Sequence, residues 1–381
     1  MIHDSKYFTK EEILRRAAEY EYPNPIAVEY FLWDCELTAQ LQSVCDQLIL
    51  KGGAATQLHL PIERQRGSKD VDLVTSLDTE DISKVIEKTA MAFKGCARFE
   101  RYKPQKPTPN LPLQTYFAHL TSQIDPDRED LDVKIDFLCK CPELPSELLN
   151  SVQTYALQTK PIKCSTAGTL AGDKLLSLAQ GSIGLDIEEN YPKQIYDVDA
   201  LIECSNFSIE FVDNFKMAIE CLTVTEATYR NMETNAISVL KDVIRTMDKY
   251  SLVDMPTGDS EVKQQIDSFQ QFYVNRSQRA RKDEWSTKAL RIRFLATLAL
   301  KIFDQTLTNN DVKKIISECR SIEQNLSAMT GNDIQKMRNK LLELARAQKI
   351  TYSKDLKGKP LLRVFWQFLT PENLSDIKTL Q

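Results

Sequence analysis

Two short runs of alternating acidic and apolar residues constrain the fold of this chain more than any other feature. Residues 70–73 read DVDL, and residues 130–138 read DLDVKIDFL. Successive side chains of an extended strand point to opposite faces, so each run gathers its acids on one face and its aliphatic side chains on the other. The sequence therefore predicts a sheet with one packed face and one face that carries several carboxylates.

A glycine pair precedes the first acidic strand. The apolar run 48–50 leads into Gly52 and Gly53, and residues 54–59 suggest a short helix. Glycine lets the backbone approach a phosphate closely, and the N-terminus of a helix attracts an anion. Asp70 and Asp72 lie about 7 Å apart on one strand face, close enough for one metal ion to bridge them. Oxygen ligands beside a phosphate-binding turn favour metal-assisted nucleotidyl transfer.

Each half of this pattern has an ordinary explanation when it stands alone. A Gly-Gly pair is usually a turn, and an Asp-Val-Asp run is usually an exposed strand face. Here both occur in the order that a nucleotide site needs, with Arg64, Arg66 and Ser68 between them. The combination favours the functional interpretation.

The second acidic strand offers a third carboxylate. Asp132, Lys134 and Asp136 share one of its faces, and this face could equally be a solvated one. In a sheet that already carries an acid pair, one of these acids could complete a metal-binding triad. We expect Asp136 to do so, with Asp132 as the second choice.

Length and helical periodicity predict an α+β fold with two domains. A chain of 381 residues exceeds what one core usually supports. We expect an N-terminal domain at 1–160, with a small mixed sheet flanked by helices, and a helical domain at 161–381. Predicted helices begin at the capping residues Thr9, Asn24 and Asp78. Further helices are expected at 169–180, 191–201, 208–228, 233–249, 261–275, 281–305, 310–325, 330–348 and 357–369.

One segment of the helical part is strongly basic. Residues 276–293 read RSQRARKDEWSTKALRIR. The net charge of the whole chain is −5, so affinity for nucleic acid would have to come from a local patch of this kind. A charge run is most often a solvated helix face, and a contact with the RNA backbone is the sharper alternative. The candidate RNA-binding residues are Arg276, Arg279, Arg281, Lys282 and Arg291.

Cysteine usage and hydropathy indicate a cytoplasmic protein. The nine cysteines are scattered, and no CxxC pair occurs, which argues against a disulfide framework and a zinc site. The N-terminus is polar, and no apolar run approaches the ~20 residues that span a bilayer. We therefore expect no membrane association.

The order of motifs resembles the AbiEii-type, MenT-like nucleotidyltransferase toxins of the DNA polymerase β-like superfamily. The resembling motifs are KGGAA at 51–55, RGSKDVDL at 66–73, KIDF at 134–137, DKLLSL at 173–178 and YD at 196–197. The resemblance covers about residues 10–205. It implies an Mg²⁺- or Mn²⁺-dependent enzyme that transfers NMP from an NTP to RNA, at the 3′ end of tRNA, as the toxin partner of a separately encoded antitoxin.

The resemblance also assigns roles on the nucleotide side of the site. Lys51, Gly52 and Gly53 match the family's nucleotide-phosphate turn, and Ser68 matches its phosphate-contacting serine. Lys174, which stands among apolar neighbours where a lysine usually snorkels, matches the nucleotide-binding lysine. The helical domain would contribute this lysine to the cleft and would bind the acceptor.

On the metal side, Asp70 and Asp72 match the metal-binding pair, and Asp136 matches the third acid. Asp197 matches a downstream catalytic aspartate. The chain departs from the family pattern in that Lys193 and Gln194 stand where an arginine and an aspartate are usual, and a glycine follows Arg66 where a bulkier residue is common. The interval between the glycine pair and the acid pair is also longer than in the wider superfamily, although it suits this branch. Gln194 leaves open an altered substrate or weakened activity, so a protein or small-molecule acceptor and a degenerate nucleotide-binding module remain alternatives.

Overall fold

The computed structural model describes residues 1–103, 111–125, 127, 131–205, 207–349 and 354–380. Within these ranges the strands are β1 (Ile49–Lys51), β2 (Asp70–Val74), β3 (Ala97–Tyr102), β4 (Leu113–Leu120), β5 (Leu131–Leu138), β6 (Ser146–Leu149) and β7 (Ile162–Ser165). The first six helices are α1 (Lys10–Glu19), α2 (Pro25–Val44), α3 (Gly52–Leu58), α4 (Thr79–Ala92), α5 (Ala167–Leu176) and α6 (Tyr191–Cys204). The others are α7 (Ile209–Arg230), α8 (Ala236–Ser251), α9 (Ser260–Tyr273), α10 (Lys282–Phe303), α11 (Asn309–Ala328), α12 (Asn332–Ala347), α13 (Leu361–Phe368) and α14 (Leu374–Thr379).

The described strands form one mixed sheet in the order β3-β4-β5-β2-β1-β7-β6. Strands β2 and β5 are parallel neighbours, and β1 runs antiparallel to β2. The apolar side chains of β2 and β5 are buried, Val71 and Ile135 completely, while the acids alternate with them on the other face. The predicted alternation is confirmed, and it brings two acidic strands side by side.

Helices α1, α2 and α4 begin at the capping residues that the sequence predicts. Thr9 accepts a hydrogen bond from the Glu12 amide at the start of α1, and Asn24 accepts one from the Ile26 amide at the start of α2. Asp78 caps α4 in the same way. A side-chain oxygen at this position satisfies a backbone amide that has no partner within the helix.

The α+β class and the helical second half are confirmed. Each of the predicted helices from α5 to α13 is present, with bounds that shift by a few residues. Strands β6 and β7 are additions, because the sequence beyond residue 141 gave no alternating pattern long enough to predict them. Strand β7 joins the sheet beside β1 although it follows residue 160, so the sheet extends past the proposed division at 160. Asp130, placed at the start of the second acidic strand, lies outside the described residues.

Candidate active site

The acids of β2 and β5 meet at the centre of the sheet. The parallel register sets Asp72 opposite Asp136 and Asp70 opposite Lys134. Asp132 is one pair further along its face, where its half-exposed side chain contacts His119 at 2.7 Å. The structure therefore brings together Asp70, Asp72 and Asp136, the three acids that the sequence favoured, and leaves Asp132 at the margin.

Asp136 is held by two neighbours on its own sheet. Thr115 Oγ1 on β4 donates to Asp136 Oδ1 at 2.5 Å, and Lys134 Nζ contacts Oδ2 at 2.5 Å. These bonds orient the carboxylate and neutralise part of its charge. Any cation bound by Asp136 would have to replace Lys134 or share the carboxylate with it.

Asp72 has a raised pKa for two reasons, of which burial is the larger and the neighbouring acids the smaller. Burial raises the pKa of Asp72 to about 6, Lys51 opposes this shift, and Asp136 and Asp70 reinforce it. A carboxylate under such repulsion gains from a nearby cation. Within the described residues, however, no group of three or more His, Cys, Asp or Glu side chains is arranged as it stands to hold a metal ion. The three acids thus have the donor chemistry for a hard divalent cation but do not form a closed ligand set.

The glycine pair lies directly against the acidic strand. Gly52 has a φ of +72°, and a Cβ at this position would sit 2.0 Å from Asp72 Oδ2. Both observations exclude a side chain. A Cβ on Gly53 would lie 3.1 Å from an Arg66 nitrogen and 3.3 Å from Ser68 Oγ. Gly52, Gly53 and Ser68, predicted as parts of one nucleotide-binding turn, are therefore neighbours.

Lys51, at the end of β1, pairs in register with Asp72 and lies 3.4 Å from Asp173 on α5. Burial lowers the pKa of Lys51, but Asp173 and Asp72 more than offset this effect and raise it above its ordinary value. Lys51 is therefore a fixed cation beside the acids.

Lys174 and Asp197 form a buried ion-pair cluster with Arg66. Arg66 Nε and Nη2 contact the two oxygens of Asp197 at 2.7 and 2.5 Å, and Lys174 Nζ contacts Oδ2 at 2.7 Å. All three side chains are almost completely buried. Burial raises the pKa of Asp197, but Arg66 and Lys174 bring it below its ordinary value. With both oxygens held by cations, Asp197 acts in this structure as an anchor for two cations.

Gln194, the departure from the family pattern, lies in the same cluster. Its Oε1 accepts a hydrogen bond from Lys174 Nζ at 3.2 Å. A neutral amide here leaves Lys174 with one carboxylate partner, Asp197, instead of two. The substitution therefore retains the hydrogen bond and makes the surroundings of Lys174 less negative.

Two residues near the acids were not identified from the sequence. Asp34 of α2 is completely buried, and neither carboxyl oxygen has a hydrogen-bond partner among the described residues. Burial, and then the charge of Asp70, raise the pKa of Asp34 well above its ordinary value. Lys193 of α6 is the second: burial lowers its pKa to about 8, repulsion from Arg66 adds to this, and Asp70 opposes it. An acid inside the apolar run YFLWDCEL was the signal for Asp34, and the signal for Lys193 was its place where the family has an arginine.

The basic segment contains exposed residues and residues that are held in ion pairs. Arg276 and Arg279 are exposed, and the side chain of Arg281 is 71% exposed, although Asp283 lies 3.1 Å from it. Lys282 pairs with Asp267 at 2.5 Å. Arg291 is bound between the buried Asp199, at 2.7 Å, and two glutamates, and its side chain is only 11% exposed. The predicted RNA-contacting face is thus reduced to its N-terminal end, and Arg291 instead ties α10 to α6.

No helix in the described part of the chain combines the length and the apolar character that crossing a membrane requires. No curated protein matches the chain. A crystal structure from H. pylori, provisionally named a nucleotidyltransferase, is similar to it with 12% sequence identity and a TM-score of 0.40, and the match covers 78% of this chain and 99% of that one.

The family comparison covers the acidic strands, the glycine pair and most of the helical part. The sequence model that describes the AbiEii nucleotidyl transferase toxin of type IV toxin–antitoxin systems matches residues 37–306. This range includes β1, β2, β5 and the helices α5 and α6 that carry Lys174 and Asp197. The chain therefore belongs to the AbiEii family of nucleotidyltransferase toxins.

Proposed function

We propose that this nucleotidyltransferase moves an NMP group from an NTP to a hydroxyl of RNA, at the 3′ end of tRNA, and depends on Mg²⁺ or Mn²⁺. The observation that carries the proposal is the juxtaposition of opposite charges. Asp72 pairs in register with Lys51, Asp70 and Asp72 act electrostatically on Lys193, and Asp136 lies opposite Asp72. Lys174 is close enough to Lys193 to repel it. Acids that attract a metal and lysines that attract a triphosphate are the two halves of a nucleotidyl-transfer site.

Asp70, Asp72 and Asp136 would hold the metal ion. Their oxygens are the ligands that Mg²⁺ prefers, and the raised pKa of Asp72 shows that this face gains from added positive charge. When bound, the metal would neutralise charge on the triphosphate and favour ionisation of the acceptor hydroxyl. Asp136 lies on β5, next to β4, and it would orient the acceptor once Lys134 has moved aside.

The remaining residues of the site position the nucleotide. Lys51 and Lys174 would stabilise charge that builds up on the departing phosphates, because both are fixed by carboxylates before the substrate arrives. The absence of side chains at Gly52 and Gly53 makes room for the Asp72 carboxylate and for Arg66 and Ser68 against the turn. The backbone of this turn would contact a phosphate of the nucleotide. Asp197 would act through Lys174, as a positioning residue.

RNA binding would use the exposed end of the basic segment. Arg276, Arg279 and Arg281 are exposed, although Arg279 also donates to the Val274 and Gln271 carbonyls and Arg281 pairs with Asp283. Lys282 is partly available beside Asp267. Neutralising RNA phosphates releases bound counterions, so binding should weaken as salt rises, with a slope set by the number of contacts. Replacing Arg276 and Arg279 with Ser should flatten that slope.

Family membership also implies a partner. Type IV toxin–antitoxin systems pair the toxin with an antitoxin, and we propose that a separately encoded antitoxin opposes this enzyme in the cytoplasm. Growth inhibition upon expression, relieved by loss of Asp70 and Asp72, would accompany the chemistry.

The test is incubation of the purified protein with total tRNA, Mg²⁺ and each labelled NTP in turn. Label should enter tRNA with the wild type and not with the Asp70→Asn/Asp72→Asn double variant. Asp132→Asn is the matched control, because this acid lies on the same face of β5 but outside the cluster, and it should retain transfer. Label in protein instead of RNA would replace the RNA acceptor with a protein hydroxyl. Nucleotide binding with no transfer to tRNA, protein or an added aminoglycoside would indicate a degenerate binding module.

A further inference from the structure

A cavity of about 370 Å³ lies between α6 and α9, next to the acidic strands. Its lining includes Lys193 of α6 and Tyr273 of α9. The Tyr273 carbonyl accepts a hydrogen bond from the Gly67 amide, three residues before Asp70, so the cavity lies near the acidic strand β2. None of the roles proposed above uses it. Its opposite wall is formed by α9, a helix that the sequence predicted without indicating a role for it.

One face of α9 is built for a flat, polar-edged ligand. Gln264, Ser268 and Phe272 recur every four residues and so lie on one side of the helix, and Gln265 is three residues before Ser268 at the margin of that side. All four line the cavity. The Tyr250 hydroxyl donates to Gln265 Oε1 at 2.9 Å and so fixes the orientation of this amide. Amides and a hydroxyl can pair with the edge of a heterocyclic base, while an aromatic ring can stack on its face.

Phe272 is the feature that a purely structural account leaves unexplained. It is 60% exposed, although its neighbours Phe269 and Trp285 are buried. Phe269 stacks on Tyr273 with the ring centroids 5.8 Å apart, and it meets Trp285 edge-on at 5.9 Å. Phe272 thus projects from a stretch of α9 that these aromatic contacts hold in place, so stacking on its ring requires little ordering of the backbone.

The cavity is mechanically linked to the acidic strand. The Gly67 amide donates to the Tyr273 carbonyl at 2.8 Å, which joins the end of α9 to the segment just before Asp70.

Glu189 and Glu261 also line the cavity, and their charge disfavours a phosphate inside it. A neutral base bearing amino groups suits these surroundings better.

We infer that this cavity binds the base of the 3′-terminal nucleotide of the RNA acceptor, with Phe272 as its stacking partner, an assignment that rests on the function proposed above. The basic residues decide between the acceptor and the NTP. Arg276 and Arg279 follow the end of α9 by three and six residues and are exposed, so they can contact the phosphates that precede a terminal base. Of the three lysines near the acids, Lys193 lines this cavity, whereas Lys51 and Lys174, which would stabilise the departing phosphates, do not.

The experiment pairs Phe272→Ala with removal of a base from the substrate. The acceptor is a tRNA acceptor-stem hairpin, used intact or with an abasic 3′-terminal nucleotide. With the intact hairpin, Phe272→Ala should raise the KM for RNA about tenfold and leave the KM for NTP within twofold. With the wild type, the abasic hairpin should have a KM about tenfold higher than the intact hairpin. With Phe272→Ala, the two hairpins should have almost the same KM, because the variant has already lost the contact with the base.

Two control variants separate stacking from general damage. Phe272→Trp should bind the intact hairpin at least as well as the wild type, since it retains an aromatic face. Met91→Ala on α4, which truncates another exposed apolar side chain at 79% exposure, should change neither KM. Fluorescence anisotropy of the labelled hairpin, without NTP, gives the same comparison independently of turnover.

The outcomes distinguish this inference from the proposed function. If the wild type transfers nucleotide but Phe272→Ala leaves both KM values and the anisotropy unchanged, the cavity assignment is wrong and the enzyme assignment stands. If Phe272→Ala raises the KM for NTP instead, the cavity holds the base of the NTP, and the acceptor assignment is overturned. Absence of transfer by the wild type, with all controls folded, would overturn the proposed function itself.

Discussion

Replacing Asp197 with Asn tests whether this residue anchors cations or acts directly in catalysis. The change keeps the shape of the side chain but leaves Arg66 and Lys174 buried without their shared counter-charge. Breaking a buried ion pair by removing one partner costs about 3–5 kcal/mol. With an unfolding entropy of roughly 2.1 cal/mol/K per residue, a chain of 381 residues should lose about 5 °C in melting temperature.

The assay is thermal unfolding at pH 7, compared with a surface variant of the same kind. Asp248→Asn removes an acid that pairs with Arg293 at 3.1 Å while 54% exposed. An exposed pair contributes about 0–1 kcal/mol, so this control should shift the melting temperature by about 1 °C or less. A folded Asp197→Asn protein that melts like the wild type yet has lost transfer would refute the anchor role and return Asp197 to direct catalysis.

The pH dependence of the same variant checks the sign of the argument. The pKa of Asp197 is lowered in the folded protein by Arg66 and Lys174, which outweigh the opposing effect of burial. Its contribution to stability is therefore present above the unfolded pKa, near 3.8, and is lost as the pH falls through the folded pKa. The gap between wild type and Asp197→Asn should be complete at pH 7 and should close below about pH 3.8. A gap that widens in acid would contradict the ion-pair account.

Three further predictions concern the acids, the turn and the departure from the family pattern. In EDTA-treated protein, Asp72→Asn should raise the free energy of unfolding at pH 8 by up to about 3 kcal/mol and have no effect near pH 4. A carboxyl whose pKa rises from 3.8 to about 6 on folding destabilises the fold only as the pH climbs through that range. Urea unfolding at both pH values checks this. Gly52→Ala should abolish transfer and lower the melting temperature more than Gly95→Ala, because both positions have positive φ but only at Gly52 would the new Cβ meet another atom within 4 Å. Gln194→Asp should give Lys174 a second carboxylate and change the KM for NTP severalfold with little effect on the KM for RNA; equal changes in both constants would argue against a role for this position in nucleotide binding.

The sequence predicted the parts of the site that depend on strand alternation. Asp70, Asp72 and Asp136 share a face because the side-chain period of a strand is two, and this period is visible in DVDL and KIDF. Whether the two strands are neighbours was not visible, because pairing partners depend on the rest of the chain. The structure provides this part: β2 and β5 are parallel and in a register that sets Asp72 opposite Asp136.

The residues that sequence reasoning misplaced or missed are those whose environment comes from distant segments. Arg291 belonged to a basic run, but α10 packs this residue against Asp199, which lies 92 positions earlier. In the sequence, Phe272 is one more apolar residue of a predicted helix. Its exposure in the cavity that Lys193 also lines distinguishes it from the buried apolar residues of that helix. Charge and hydrophobicity can be read locally, whereas the partner of a charge cannot, and the partner decides whether a cation is available to a ligand.

If the acids bind a metal as proposed above, the electrostatics of the site predict that metal and nucleotide bind cooperatively. In the structure, the acids of β2 and the surrounding lysines partly neutralise one another, as the raised pKa of Lys51 beside Asp72 shows. A metal bound by the acids would leave the lysines short of negative charge, and a triphosphate would supply it. Each ligand therefore removes the cost of binding the other, and the coupling must be reciprocal because it is a free energy. Because Asp197 and Asp173 face the lysines from α6 and α5, away from the acidic strands, they would keep Lys174 and Lys51 in place while their other partners change.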